Sequence, residues 1–133
     1  MKSLSPEDAV VANKVWPNRH EGSEFLLNRL AEFNLNIGAY DKESNELLAW
    51  CFRLQAGPLG ALQTKESAYR RGLGSLVTRS MCKQLNEIGH DAYGLVKPTN
   101  YPSRGTFEKV GFTMIGKAYW IRNVPTFDFH WTD

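Results

Sequence analysis

Cysteine is scarce. Cys51 and Cys82 are the only two, in a strand-like and a helix-like stretch, without metal-ligand spacing. That excludes a disulfide-rich secreted scaffold. Two reduced core thiols suggest an intracellular protein, cytoplasmic or mitochondrial. The three histidines, His20, His90 and His130, are scattered and give little support to a metal site. No apolar run approaches membrane-spanning length, and no signal peptide is visible. Charge of one sign is also lacking: 16 basic and 14 acidic residues leave +2, too little to argue for nucleic acid. There is no internal repeat and no low-complexity segment. What remains is ordinary globular composition, 42% hydrophobic and 23% charged over 133 residues, enough for one domain with a real core.

The chain is organised around residues 60–88. Leu59 to Thr64 reads as a short strand and Leu73 to Ile88 as a helix, with Leu73, Leu76, Val77, Met81, Leu85 and Ile88 spaced three and four apart. Gly89 supplies the stop. Between them a polar turn ends in Arg70-Arg71-Gly72-Leu73-Gly74-Ser75. Glycines at a helix start let unpartnered N–H groups approach a ligand, and the helix dipole adds partial positive charge, so such a turn accepts phosphate or pyrophosphate. It is not a dinucleotide-fold loop, because Val77 stands at the third glycine position. Nor is it a P-loop, since Gly-Lys followed by Ser or Thr is missing. The bland alternative stays open: the glycines only allow a tight turn and the arginines are solvated.

From the N-terminus, Ser5 caps a helix with Pro6 at its first position and acids in the first turn, running to about Val15. Trp16-Pro17-Asn18-Arg19-His20 breaks it. Ser23 is the expected cap of a second helix that turns Leu26, Leu27, Leu30 and Phe33 inward and ends at Asn34 to Asn36. A meander follows: Ile37 to Tyr40, a polar turn over Asp41 to Asn45, and Leu47 to Gln55. In that last strand Leu48, Trp50, Phe52 and Leu54 share one face, and Leu47, Ala49, Cys51 and Arg53 the other. Gly57-Pro58 leads into the central strand. Beyond the long helix, Ala92 to Lys97 reads as a buried strand ended by Pro98, and Ser103 caps a short helix that Gly111 stops. Phe112 to Ile115 and Ala118 to Arg122 read as closing strands, and the tail carries Phe127, Phe129 and Trp131.

Three features carry a family resemblance. Tyr69-Arg70-Arg71-Gly72-Leu73-Gly74-Ser75 resembles the pyrophosphate loop of the GNAT superfamily of acyl-CoA N-acyltransferases. Asn100-x-x-Ser103 with Phe107-Glu108-Lys109-Val110-Gly111-Phe112 resembles its second motif. Trp16-Pro17-x-Arg19-His20 is similar to a feature of the glycine N-acyltransferase-like branch, whose C-terminal domain is the nearest match. The resemblance implies an α/β (α+β) domain over 1–133, with 123–133 a C-terminal tail. Its mixed central sheet is splayed between strands 59–64 and 92–97 and flanked by helices. Only Lys2-Ser3-Leu4 stands where this fold opens with a strand, and the branch carries a preceding half, so a truncated or independent form is expected. An exposed sheet edge would invite a homodimer.

The implied co-substrate is coenzyme A as acyl-CoA, with no metal, and the implied acceptor is a small amine, an amino acid such as glycine among them. Pantetheine would pair with the backbone of Leu62, Gln63 and Thr64. The pyrophosphate would rest on the loop Arg70, Arg71, Gly72, Leu73, Gly74 and Ser75, with Asn100, Ser103 and Phe107 along the wall. The sequence departs from the family at three places. Phe107 replaces the usual acid tyrosine, Pro58 stands where a catalytic glutamate is placed, and Tyr69 replaces Gln or Arg. Glu66 and Tyr101 are the remaining base and acid candidates, against a solvated turn carboxylate and a ring packed before Pro102. Cys82 lacks a paired histidine nearby and is a poor nucleophile. The alternative reading is a non-catalytic coenzyme A-binding or interaction domain that kept the fold and lost the acid and base.

Overall fold

The computed structural model describes residues 1–121 together with Val124 and Thr126. The expected tail aromatics Phe127, Phe129 and Trp131, and the end of the last expected strand at Arg122, lie outside the described residues.

Helix α1 (Pro6–Val15) starts where the sequence predicts. Ser5 Oγ accepts from the Asp8 N–H while Asp8 returns a bond from the Ser5 N–H, a reciprocal capping box with Pro6 in the first turn. Helix α2 (Ser23–Phe33) corrects two expectations. Its cap is Gly22, in the left-handed region at φ 85°, because Ser23 is drawn fully inside as the first helical residue. The Ser23 hydroxyl lies 2.6 Å from Asn13 Oδ1 and 2.7 Å from the His20 carbonyl, and accepts from the His20 N–H at 3.0 Å. Phe33 is 66% exposed rather than inward, with the Arg29 guanidinium 4.4 Å from its ring centre.

Strands β1 (Asn36–Tyr40), β2 (Leu47–Arg53) and β3 (Leu59–Thr64) form an antiparallel sheet in the order β1-β2-β3. Lys2 adds a one-residue bridge to Gly38 on the outer edge of β1, which is all the structure makes of the opening strand. β2 stops at Arg53, short of Gln55, because the Leu54 N–H turns to the Pro58 carbonyl. Within β2 the pairing passes from Ala39↔Ala49 to Tyr40↔Leu47. Leu48 is the extra residue of that bulge, so Leu47 moves to the face of Trp50 and Phe52. That face packs under α1 and α2, through Leu27, Leu30, Ala9 and Ala12. On the opposite face small Ala49 and Cys51 let helix α3 (Leu73–Glu87) come close through Val77, Met81 and Leu85. Leu76 and Ile88, read as inward, are 43% and 52% exposed, because Val77, Met81 and Leu85 already fill the sheet-facing stripe.

Helix α4 (Tyr101–Val110) packs beside α3. Its cap is Asn100, not Ser103: the Asn100 side-chain oxygen accepts from the Ser103 N–H, so Ser103 lies inside the first turn. Residues 92–97 do not form the expected strand. One parallel bridge, Leu59↔Gly94, is all that pairs, and Tyr93 and Leu95 are 42% and 49% exposed. The expected strands at 112–115 and 118–121 are likewise in no ladder among the described residues. Held by a single bridge on one edge and by no ladder on the other among the described residues, 92–97 has little hydrogen bonding to keep it extended.

Candidate active site

The site is built at the free edge of β3. Its inner edge is held by β2, with Trp50 opposite Gln63 and Ala49 opposite Thr64. On the outer edge the Leu59 N–H donates to the Tyr93 carbonyl at 2.8 Å, and the pairing ends there. Ala61 sits at φ 49°, and the register slips between Trp50 and Phe52, so a bulge bends β3 just past that bridge. Lys65 donates inward to the Leu48 carbonyl, and antiparallel alternation then turns the N–H groups of Leu62 and Thr64 outward. Those donors need a partner.

The loop after β3 leads to a second set of free donors. A single 3₁₀ turn (Glu66–Ala68) is followed by Arg70 and Gly72 in the left-handed region, at φ 61° and 74°. Gly72 caps α3 with no side-chain hydrogen bond, and the first turn holds no acid. Leu76 is the first residue to bond back, to the Gly72 carbonyl, so the N–H groups of Leu73, Gly74 and Ser75 have no acceptor among the described residues. Arg70 and Arg71 are exposed beside them. A β-carbon at Gly74 would sit 3.7 Å from Thr64 Oγ1 and 3.7 Å from Thr106 Cγ2. The end of β3, the start of α3 and the face of α4 therefore meet at Gly74. Thr106 has no signal in the sequence that marks it, and only this packing brings it to the site.

The remaining predicted residues separate into wall and rim. Phe107 is buried, meeting Phe112 edge-on with ring centres 4.9 Å apart, and a β-carbon on Gly94 would come within 3.0 Å of its ring. It is apolar flooring beneath the Leu59↔Gly94 bridge and carries no exchangeable proton. Asn100 and Ser103 are tied to each other at the start of α4 at 3.3 Å. Glu66 is exposed on its 3₁₀ turn. Tyr101 is 70% exposed, so the ring does not pack before Pro102 as the bland reading had it. Neither side chain makes a hydrogen bond among the described residues. Burial pushes the Cys51 thiol up to about 12 and also raises Cys82, which disfavours the thiolate at both. An open depression of about 490 Å³ between Lys2, Asp8, Tyr40 and Asn45 lies on the other side of the sheet's strand order, along β1. Its polar groups already satisfy one another, Tyr40 with Asp8 and Lys2 with Asn45.

The model of the FR47-like protein family matches residues 36–121, from β1 through the described end of the chain. The chain belongs to the FR47-like family. A crystal structure of a Drosophila protein is 32% identical, with a TM-score of 0.76, over 84% of this FR47-like chain and 38% of that protein. The chain thus spans little more than a third of that relative's length. Aminoglycoside 6'-N-acetyltransferase AAC(6')-Ig from Acinetobacter haemolyticus is 12% identical, with a TM-score of 0.70, covering 92% of this chain and 94% of that one. AAC(6')-Iy, solved in complex with a coenzyme A bisubstrate analogue, is 10% identical, with a TM-score of 0.69, over 92% and 95% of the two chains. At these identities the likeness is one of fold, and the fold is that of the GNAT acetyltransferases. A comparison with curated proteins returns no match.

Proposed function

We propose that this FR47-like protein is an acyl-CoA-dependent N-acyltransferase acting on a small amine, with an amino acid such as glycine as the favoured acceptor. One observation carries the reading. Past the Leu59↔Gly94 bridge, the free edge of β3 ends beside the uncapped start of α3, where Thr64 lies against Gly74. A pantetheine arm is a chain of amides and completes an open strand edge. A diphosphate fits three unpartnered helix N–H groups flanked by two arginines. The two kinds of donor lie end to end, in the order in which the two parts of coenzyme A are joined. The amino-acid acceptor is supported by the motif resemblance to the glycine N-acyltransferase-like branch, and by no side chain at the edge itself.

The chemistry asked of the site is direct attack. A neutral amine adds to the thioester carbonyl, and an outward β3 N–H stabilises the charge that develops on its oxygen. The leaving thiolate needs little acid help, since thiols ionise near pH ~8.5. Positioning therefore does much of the work, and Phe107 in place of a tyrosine does not forbid turnover. That same buried phenyl favours the second reading, a coenzyme A-binding domain without turnover. Free-thiol release from acetyl-CoA, measured across a panel of small amines and amino acids, separates the two. Amine-dependent release above hydrolysis supports the acyltransferase. Tight binding with no such release supports the binding domain.

A further inference from the structure

We infer that the side chains of Thr64, at the end of β3, and Thr106, on α4, clasp one amide of the pantetheine arm across the gap at Gly74. This rests on the coenzyme A binding that both readings above share.

The fold itself does not need that gap. Gly74 lies in the first turn of α3 without a positive φ, so its backbone conformation does not call for glycine. A β-carbon there would meet Thr64 Oγ1 and Thr106 Cγ2 at 3.7 Å and Thr106 Oγ1 at 4.0 Å, all ordinary contacts. Alanine would fit and is the better helix former, so the missing side chain leaves room that the protein does not fill. The end of β3 walls this room on one side and α4 on the other. Thr64, Gly74 and Thr106 are each half-buried, so the walls open toward the surface instead of closing into the core. The turn beneath is held in place by Thr78, which is fully buried and donates to the Gly74 carbonyl at 2.7 Å.

The two hydroxyls differ in what they can still do. Thr106 Oγ1 donates to the Pro102 carbonyl at 3.0 Å, which uses its only hydrogen and leaves it lone pairs alone. Half-buried Thr64 makes no side-chain hydrogen bond among the described residues, so its hydroxyl is free to donate. A donor on one wall and an acceptor on the other match an amide, which has one carbonyl and one N–H. They suit a phosphate poorly. A phosphate diester offers acceptors only, and the committed oxygen of Thr106 would face them without a hydrogen.

The position agrees with this division. The Thr64 N–H is the last outward donor on the edge of β3, and the free N–H groups of Leu73, Gly74 and Ser75 suit the diphosphate. The pantetheine amide nearer the diphosphate falls between these two sets of donors, beside Gly74. Thr64 and Thr106 thus read the arm and not the nucleotide. They make the site selective for a thioester carrier over other diphosphates that the start of α3 would accept.

Calorimetry on the whole chain tests the inference with two ligands: acetyl-CoA, and 3'-phospho-ADP, which has the nucleotide and diphosphate without the arm. Thr64→Val and Thr106→Val each remove a hydroxyl with little change of shape, whereas Thr64→Ser and Thr106→Ser keep it. Each valine variant is expected to weaken acetyl-CoA binding by about threefold to tenfold, the worth of one hydrogen bond, and to leave 3'-phospho-ADP unchanged. Each serine variant is expected to bind acetyl-CoA as the wild type does. Wild-type acetyl-CoA affinity in both valine variants would make the threonines packing residues only. An equal loss for both ligands would put the diphosphate in the gap, and an equal loss in the serine variants would trace the effect to the methyl group. Any of these three results overturns the inference and spares the acyltransferase reading. A wild-type protein that binds neither ligand overturns both.

Discussion

Two helices of this protein begin in opposite ways. α1 starts saturated: Ser5 and Asp8 cap each other's backbone, Pro6 removes a donor that would have been orphaned, and Glu7 and Asp8 meet the positive end of the dipole. α3, the longest helix among the described residues, starts with a left-handed glycine, no side-chain cap and no acid, beside two exposed arginines. One chain therefore contains both the stabilising solution and its omission. The omission coincides with the free edge of β3, where a ligand has most use for open donors. The difference is what the proposed function requires: an α3 start left open to an external anion, against an α1 start closed by its own side chains.

The largest test of that contrast is to fill the vacancy. Gly74→Glu puts a carboxylate between Thr64, Thr106 and the free N–H groups, and should weaken acyl-CoA binding on the order of 100-fold or more, the loss of two charge-assisted bonds at about 1.5 kcal/mol each. Unchanged affinity in calorimetry would remove the anion from this location. The opposite substitution is smaller. Gly74→Ala places its β-carbon at ordinary contact distance, 3.7 Å from its nearest neighbours. It should raise stability by up to about 1 kcal/mol, the helix preference of alanine over glycine, and lower affinity by less than about tenfold. At the other helix, Ser5→Ala should cost about 1 kcal/mol in urea unfolding and leave acyl-CoA affinity alone. A loss of affinity there would mean that the two helix starts are not independent.

The smallest effect concerns the α1 cap and pH. Burial, and then the hydrogen bond and negative charge of Asp8, raise the Tyr40 phenol well above its ordinary value. The folded state thus holds that proton more tightly than the unfolded state does. The stabilisation is present below about pH 10 and is lost as pH rises beyond it. Tyr40→Phe should flatten the alkaline fall of stability in thermal melts above that pH. A fall of unchanged steepness would place its origin elsewhere.

Much of the scaffold was legible in the sequence because local chemistry decides it. Ser5-Pro6 opens α1, β3 runs from Leu59 to Thr64 as its pattern predicts, and Gly111 ends α4 at φ 110°. The turn at Gly72 and the start of α3 at Leu73 were legible for the same reason, since glycine spacing reports backbone geometry directly. Other features depend on tertiary competition. Ser23 and Ser103 look like caps, but the first is buried as a loop anchor and the second is capped by Asn100. Leu76 and Phe33 satisfy a helical period yet lie exposed, because neighbouring positions fill the stripe that faces the sheet. The strand expected at 92–97 depends on partners at both edges and is reduced to the Leu59↔Gly94 bridge. Thr106 reaches Gly74 only through the packing of α4 beside α3, which no spacing rule encodes.

Amide hydrogen exchange, with and without saturating acyl-CoA, tests the central claim most directly. The account predicts that Leu62, Thr64, Leu73, Gly74 and Ser75 exchange freely alone and become protected together when ligand binds, while the α1 amides do not change. Calorimetric binding with those five amides still exchanging at their unliganded rates would contradict it.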